Sequence, residues 1–486
     1  MTPSTEFVQR RNAPSARRLC LLLLLGLVLA ACGGGGGGGS NSAPSNVQVL
    51  LNDGDVLPGS FTIGTIEEAN MADDRSVVLI ASVPSLPANR GVFLRTPDGN
   101  VQPILTPATQ IPAGVSLPTL HNPGMCPTGE FVFSGGGGLD TDSVFLYANG
   151  QLSVLAAAGQ TPPGFRILGD RQIGANGFVA LTGGVSPCTV DTSSGTQRVR
   201  CTAEIFSGTS GGINQVKVPN DLTNLDPGSL GIVVNDAQTL VLGLPGRAND
   251  PAIAEVRGDQ VVPLVTQRQN VAGLGTLSSI NPRAVGLNGD VVFEARVDTN
   301  GDGQPDDQRI LFLSNGAFTT VARTGEPAGT QVVLDARATA IDDAGDIVFF
   351  VHFGQPGETG SISLRIWQAG TTQQIAFEGQ GFGQDDQGND LKILKIDQIR
   401  VARNGDVVFR AALGMIENGT PKTSSTSILR YAGGRLDTLL QTGEEISNNN
   451  NIVSLTVADL NNNGDLLSIA SINRSANRAL LLLPRQ

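Results

Sequence analysis

Asn288-Gly289-Asp290-Val291-Val292-Phe293 reads as a tight turn followed by an apolar β-run. Close copies stand at Gly345-Asp346-Ile347-Val348-Phe349, Gly405-Asp406-Val407-Val408-Phe409 and Gly464-Asp465-Leu466-Leu467. Gly129-Glu130-Phe131-Val132-Phe133 and Gly177-Phe178-Val179-Ala180-Leu181 are looser ones. The turn glycines at 129, 177, 289, 345, 405 and 464 are spaced by 48, 112, 56, 60 and 59 residues. The double-length gap holds a degenerate copy, Asp236-Ala237-Gln238-Thr239 before Leu240-Val241-Leu242. Another precedes the first, Asp73-Asp74-Arg75-Ser76 before Val77-Val78-Leu79-Ile80. That makes eight units of roughly 50–60 residues, a period expected of propeller blades.

Working outward, every unit has the same internal order. Val144-Phe145-Leu146-Tyr147 is a short apolar strand, Asn149-Gly150 a two-residue turn and Leu152-Ser153-Val154-Leu155 a second strand. Asn-Gly suits such hairpins because both central residues tolerate positive φ. A Gly- and Pro-containing loop follows, then a third strand that runs into the marker turn and the fourth. No segment sustains a helical period. Four antiparallel strands repeated eight times predict an all-β, eight-bladed β-propeller. Val47-Gln48-Val49-Leu50-Leu51 lacks a preceding strand, and Ala479-Leu480-Leu481-Leu482-Leu483 is a spare one. The reading pairs them, with the last strand completing the first blade and closing the ring, which removes the exposed edges a linear array would carry.

Composition agrees. The 486 residues include 62 Gly and 27 Pro, with 16% charged and 4% aromatic, a helix-poor pattern. At 40% hydrophobic the chain is too apolar for disorder. The units resemble those of a repeat family of uncharacterised exported bacterial proteins, over nearly all of residues 47–483. The resemblance implies a propeller and carries no activity or catalytic residue with it.

Residues 1–31 read as a signal peptide, with Arg10, Arg11, Arg17 and Arg18 ahead of the apolar run Leu19 to Leu29. That run is too short to span a bilayer comfortably. Leu29-Ala30-Ala31-Cys32 resembles the lipobox of bacterial lipoproteins, in which the Cys32 thiol takes the lipid before cleavage. Residues 32–46 then form the lipidated cysteine and a Gly/Ser-rich tether with a typical reach of roughly 20 Å, and residues 47–486 the propeller. By resemblance to bacterial sorting rules, Gly33 after the cysteine favours the outer membrane. Loss of residues 1–31 removes four arginines and Glu6, taking the formal charge from −12 to −15. Such a chain repels a phosphate backbone, which argues against nucleic acid as a partner.

Among local motifs, Asp298-Thr299-Asn300-Gly301-Asp302-Gly303-Gln304-Pro305-Asp306-Asp307 follows the opening of an EF-hand-type calcium loop. Asp298, Asn300 and Asp302 alternate as oxygen donors, Gln304 offers a carbonyl, and Arg309 stands where a bidentate Glu belongs. Asp306 or Asp307 would substitute for that Glu in holding a structural calcium ion. Cys188 and Cys201 are expected to form a disulfide between blades three and four, since export leads to an oxidising compartment. Cys126 is then a buried small hydrophobe. Gly208-Thr209-Ser210-Gly211-Gly212 matches a serine-nucleophile pattern only by letters, because no strand–turn–helix surrounds it. His121 and His352, the only histidines, are too few for a His-rich metal site.

The long connections gather on one face, which carries Asp140, Asp142, Asp191, Asp298, Asp302, Asp306, Asp307, Glu358, Asp385, Asp386 and Asp390, with Lys422 among the few cations. This predicts a non-enzymatic lipoprotein, anchored in the membrane, whose loop face binds an envelope protein, an extracellular protein or a glycan. The alternative is a propeller hydrolase or lyase acting on an extracellular polymer. Asp, Glu, Arg or His side chains converging in the central channel would favour the enzyme.

Overall fold

Each copy of the repeat turns on one backbone event. The residue at the fourth place of the marker turn takes left-handed φ in all eight units: Arg75 at 71°, Gly129 at 97°, Gly177 at 67°, Gln238 at 61°, Gly289 at 82°, Gly345 at 85°, Gly405 at 83° and Gly464 at 84°. In seven of them its N–H donates to the carbonyl three residues back, as from Gly289 to Gly286 at 3.0 Å. Glycine takes this conformation without steric cost, whereas arginine and glutamine do not. The two units lacking the glycine nonetheless build the same turn.

The computed structural model describes residues 46–85, 90–106, 109, 120–136, 140–191, 198–258, 260–328, 330–355, 360–385, 387–417, 420–447, 450–473 and 477–485. They form eight antiparallel sheets and one small hairpin, with no α-helix among the described residues. The inner strands, in chain order, are Thr65–Met71, Leu120–Met125, Phe165–Ile173, Gly231–Val234, Gly275–Val285, Gln331–Ile341, Asp390–Val401 and Asn450–Leu460. Each touches the next, and the eighth returns to the first, so the sheets stand as blades around a central channel. Blades are numbered 1 to 8 by these strands.

Ring closure uses both chain ends. Gln48–Asn52 pairs antiparallel with Arg478–Leu483, placing Gln48 opposite Leu482 and Leu51 opposite Leu480. One correction follows from the sheet order: the N-terminal strand is the outermost strand of blade 8, so the last strand does not complete blade 1. The sequence unit is offset by half a blade. Its first two strands are the outer pair of one sheet, and its last two the inner pair of the next.

The marker run explains the packing. In blade 5, Val291 and Phe293 face blade 4, where they meet Val241, Ile253 and Val265. Val292 faces blade 6, against Val333, Ile347 and Phe349. A strand buried on both faces must be apolar at every position, so the second strands read as continuous hydrophobic runs. Eight hydrophobic clusters result, one per blade–blade interface. Phe133, Phe293, Phe349 and Phe409 are fully buried in them, each contributing roughly 2–3 kcal/mol by burial. The closing strand follows the same rule. Leu480 and Leu482 pack toward blade 1, and Leu481 and Leu483 toward blade 7.

Strand direction gives the molecule two unlike faces. Inner strands run toward the marker turns, so these turns and the outer hairpin turns share a tight face. The segments after the second strands and between blades lie on the opposite, loop face. The first and last described residues reach the tight face, where the Asn46 side-chain amide donates to the Pro484 carbonyl at 3.2 Å.

Candidate functional site

The second residues of the marker turns surround the channel at its tight end, and five of them meet. Arg403 of blade 7 reaches Asp236 of blade 4 at 2.6 Å and Asp343 of blade 6 at 3.5 Å. Asp73 of blade 1 accepts from the Asn462 backbone at 2.9 Å and from its side-chain amide at 3.2 Å. Burial pushes the Asp236 carboxyl above its ordinary range; Arg403 opposes this, while Asp73 and Asp343 add to it. This mixed ring borders a small compartment of about 160 Å³, whose walls also include Met71, Met125, Cys126, Ile173 and Asp459.

A larger compartment of about 400 Å³ shares Met125, Ile173 and Asp459 with it. Its polar lining is Asn70, Asp170, Arg171, Gln172 and Asp459, and its apolar lining includes Pro123 and Val132. A bulge between Leu168 and Arg171 breaks the inner strand's alternation there. The Arg171 guanidinium donates to the His121 carbonyl at 3.1 Å. Burial lowers its pKa to about 10, with Asp170, Glu68 and Asp142 opposing the shift. Asp459 lies deeper. It accepts from the Met71 backbone at 2.8 Å, the Leu460 backbone at 2.9 Å and the Asn70 amide at 3.3 Å. Burial nevertheless raises its pKa.

The calcium-type loop leaves the end of strand Val291–Asp298 on the loop face. Asp298 is buried and accepts from the amides of Gly301 at 2.7 Å and Gly303 at 2.8 Å. Asp306 accepts from the Thr299 backbone and hydroxyl, both at 2.7 Å, and from the Asn300 amides. Asp302 takes the Gln304 N–H at 2.7 Å. Asp307 turns away to Arg309, at 3.1 Å. Among the described residues no three His, Cys, Asp or Glu side chains gather as a metal group. Asp298, Asp302 and Asp306 each accept amides of the loop itself.

Cys188 and Cys201 do form a disulfide. It lies inside blade 3, between paired strands Val179–Asp191 and Arg198–Thr209, rather than between blades three and four. Cys126 is buried, and its thiol donates to Glu130 at 3.0 Å. Ser210 and Gly211 form a hairpin turn between two paired strands of blade 3. His352 stands 3.9 Å from Asp335 in blade 6, and His121 belongs to blade 2. Trp367 packs on Phe312 and Tyr147 stacks on Phe131, so these aromatics serve the blades. Several loop-face acids accept backbone amides: Asp142 takes that of Leu168, and Asp385 those of Gln387 and Asn389. Cys32, Glu358 and Asp386 lie outside the described residues.

The channel residues escaped the sequence reading. The second place of each marker turn was the available signal, since Asp73, Asp236, Asp343 and Arg403 all occupy it. Arg171 and Asp459 had none, because bulges set their direction.

These observations define an eight-bladed β-propeller closed by strands from both chain ends. Residues 285–479, which span the end of blade 5's inner strand through blade 8, match the model of a family of unknown function, DUF7453. No curated protein matches the chain. Among solved structures it is similar to Pyrococcus horikoshii acylaminoacyl peptidase, at 11% identity and a TM-score of 0.40, covering 85% of this chain and 58% of the peptidase. The β-propeller domain of the Trilobed protease from Pyrococcus furiosus matches at 10% identity and TM-score 0.40, over 77% of this chain and 97% of that domain. A polysaccharide lyase of the PL25 ulvan lyase family matches at 12% identity and TM-score 0.36, over 75% and 93%.

Proposed function

We propose that the chain is a membrane-anchored, non-enzymatic binding propeller that presents its loop face to an envelope protein, an extracellular protein or a glycan. The observation that supports this is the position of Asn46. The tether joins the folded body on the tight face, beside Pro484, which leaves the loops on the side away from the attachment. Exposed loops on a rigid scaffold are where binding residues concentrate. In this reading Cys32 carries the lipid, the outer membrane is the destination, and a calcium ion held by residues 298–307 clips one loop.

The test displays the intact protein and probes it with purified envelope proteins and glycans, with and without calcium. A bulky glycan introduced at residues 299–304 is expected to abolish binding, while one at Asn149-Gly150 on the tight face leaves it intact. Equal loss from both positions overturns the loop-face reading. Labelled fatty acid should enter the wild type and not Cys32→Ser. A chelator should lower the melting midpoint of the wild type, and an unchanged midpoint removes the calcium clip.

One observation favours the second reading, a hydrolase or lyase. Asp170, Arg171 and Asp459 converge on a single channel compartment. They lie toward the tight end, and Asp459 is engaged by three donors, so the binding reading leads. Turnover of an extracellular polysaccharide or peptide, lost in Asp170→Asn, would reverse the order.

A further inference from the structure

A further cavity opens on the tight face, at the seam where the ring closes. It encloses about 570 Å³ between the outer strands of blade 7, Thr420–Ala432 and Arg435–Gln441, and the end of the closing strand Arg478–Leu483. Arg430, Arg435 and Arg485 line it together with Thr438, Leu439 and Leu483. Pockets of a few hundred Å³ that combine apolar lining with a few convergent polar groups suit small organic ligands. We propose that this seam pocket binds a singly charged phosphodiester. The three guanidinium groups take its oxygens, and Leu439 and Leu483 cover the carbon of its alcohol groups.

The charge of the ligand follows from Arg430. It is only 8% exposed, yet its described contacts include no carboxylate: Nη2 donates to the Gly464 carbonyl of blade 8, and Nε is buried without a partner. Each carboxylate nearby already faces its own arginine, Asp437 with Arg435, Asp406 with Arg485 and Asp465 with Arg75, all at 2.9 Å. Arg430 is the cation left over among these described groups. Burial lowers its pKa; Asp406 opposes the shift and Arg485 adds to it. An anion seated beside a desolvated guanidinium is held more strongly than in water. One negative charge balances the group, whereas the second charge of a phosphomonoester would meet Asp437 and Asp406 with no unpaired cation left. The shape of the ligand follows from the other two arginines. Arg435 uses only Nε on Asp437, and Arg485 uses Nε and Nη2 on Asp406, so N–H groups from two blades remain to converge. A carboxylate suits one planar fork, while a phosphodiester carries its oxygens tetrahedrally around phosphorus and meets several. Asn46 also lines the pocket, so in the anchored reading it opens beside the tether and toward the bilayer. That orientation rests on the proposed anchor; the charge count does not.

The experiment is calorimetric titration of the full-length protein, in a non-ionic detergent, with glycerophosphoglycerol, dihexanoyl phosphatidylglycerol and acetate. Wild type should bind at least one of the two phosphodiesters, and acetate about tenfold or more weakly, the loss of one charge-assisted contact. A lipid that binds more tightly than its deacylated form assigns the site to a headgroup; equal or weaker lipid binding assigns it to a soluble diester. Either result stands whether or not Cys32 takes up labelled fatty acid, so this proposal and the anchored reading fail separately. Arg430→Met should weaken the phosphodiester by about tenfold or more. Because Arg430 is buried, its loss also threatens folding, so two exposed changes are titrated beside it. Arg435→Glu reverses a charge on a side chain that is 80% exposed, and Thr438→Trp fills the pocket from the exposed face of its strand. Each should weaken binding by about tenfold or more. Absence of phosphodiester binding by wild type at millimolar concentration overturns the proposal. So does acetate binding as well as the phosphodiesters, or phosphodiester binding that persists in both Arg435→Glu and Thr438→Trp.

Discussion

Arg403, in the marker turn of blade 7, holds the Asp236 carboxylate of blade 4 with Nη2 and Oδ2 at 2.6 Å. The two blades are not neighbours in the ring, so the pair ties together parts that no sheet or hydrophobic interface connects. Both side chains are about one-fifth exposed, at 23% and 21%. Arg403→Met would leave Asp236 in a desolvated ring with Asp73 and Asp343, and is expected to cost about 2 kcal/mol. Adding Asp236→Asn should recover part of the loss, because the stranded charge goes with it. Thermal melting of the wild type, the single variant and the double variant checks this. A single variant that melts with the wild type would mean the pair is decorative.

The two turns without glycine make opposite predictions for one substitution. Gln238 holds φ 61° and spends its side chain only on the exposed Ala175 carbonyl, at 3.1 Å. Gln238→Gly should relieve backbone strain and stabilise by up to about 1 kcal/mol. Arg75 holds φ 71°, but its guanidinium grips Asp465 of blade 8 through two contacts, at 2.9 and 3.2 Å. The Asp465 side chain is only 3% exposed. Arg75→Gly relieves the same strain yet should destabilise by about 1–2 kcal/mol, because a buried carboxylate loses its cation. Paired melting curves that shift in the same direction would contradict this account of the turns.

What could be read in advance divides along physical lines. Val291, Val292 and Phe293 announced blade, turn and burial together, because a strand buried on both faces leaves a continuous apolar word in the sequence. Leu480 to Leu483 announced ring closure for the same reason. The half-blade offset stayed hidden, since hairpin spacing is the same whichever sheet a strand joins. Arg171, Asp459 and Arg403 could not be singled out either. The inner strands carry bulges, at Leu168/Arg171 in blade 3 and Val457/Asp459 in blade 8, and a bulge breaks the alternation that assigns side chains to faces. At the calcium-type loop the letters mark the residues that organise the turn, since Asp298 and Asp306 receive the loop's own amides.

The Cys188–Cys201 disulfide staples the long hairpin of blade 3 across 13 residues of sequence. The strand ends it joins flank residues 192–197. Loop-closure entropy for a span of this length amounts to about 3 kcal/mol, less whatever the paired strands already restrict. Reductant should therefore lower the melting midpoint of the wild type. Cys188→Ser/Cys201→Ser should start from that lower value and ignore reductant, while Cys126→Ala leaves the reductant response unchanged. If the double serine variant still responds to reductant, another thiol or bridge governs the effect.

Acid should weaken the molecule partly through Asp397 of blade 7. Its carboxylate accepts from Arg410 at 2.6 and 2.8 Å and lies 3.1 Å from Lys395. Arg410 also reaches the Leu455 carbonyl of blade 8, at 3.2 Å, so the pair supports the interface between blades 7 and 8. The Arg410 hydrogen bonds hold the carboxyl below its ordinary range, outweighing burial, with Lys395 adding to the effect. A carboxyl depressed on folding stabilises the native state above its unfolded pKa, and that contribution disappears as pH falls through the folded value. The window therefore opens near pH 4, the ordinary carboxylate value, and extends below it. Asp397→Asn should be about 1 kcal/mol less stable at neutral pH, a partly exposed pair being discounted for screening. Its melting midpoint should also fall less steeply than the wild type's on acidification. Midpoints measured from pH 7 to about pH 3 separate the two proteins at neutral pH and bring them together in acid. Parallel curves over the whole range would show that the Asp397–Arg410 pair contributes nothing to acid sensitivity.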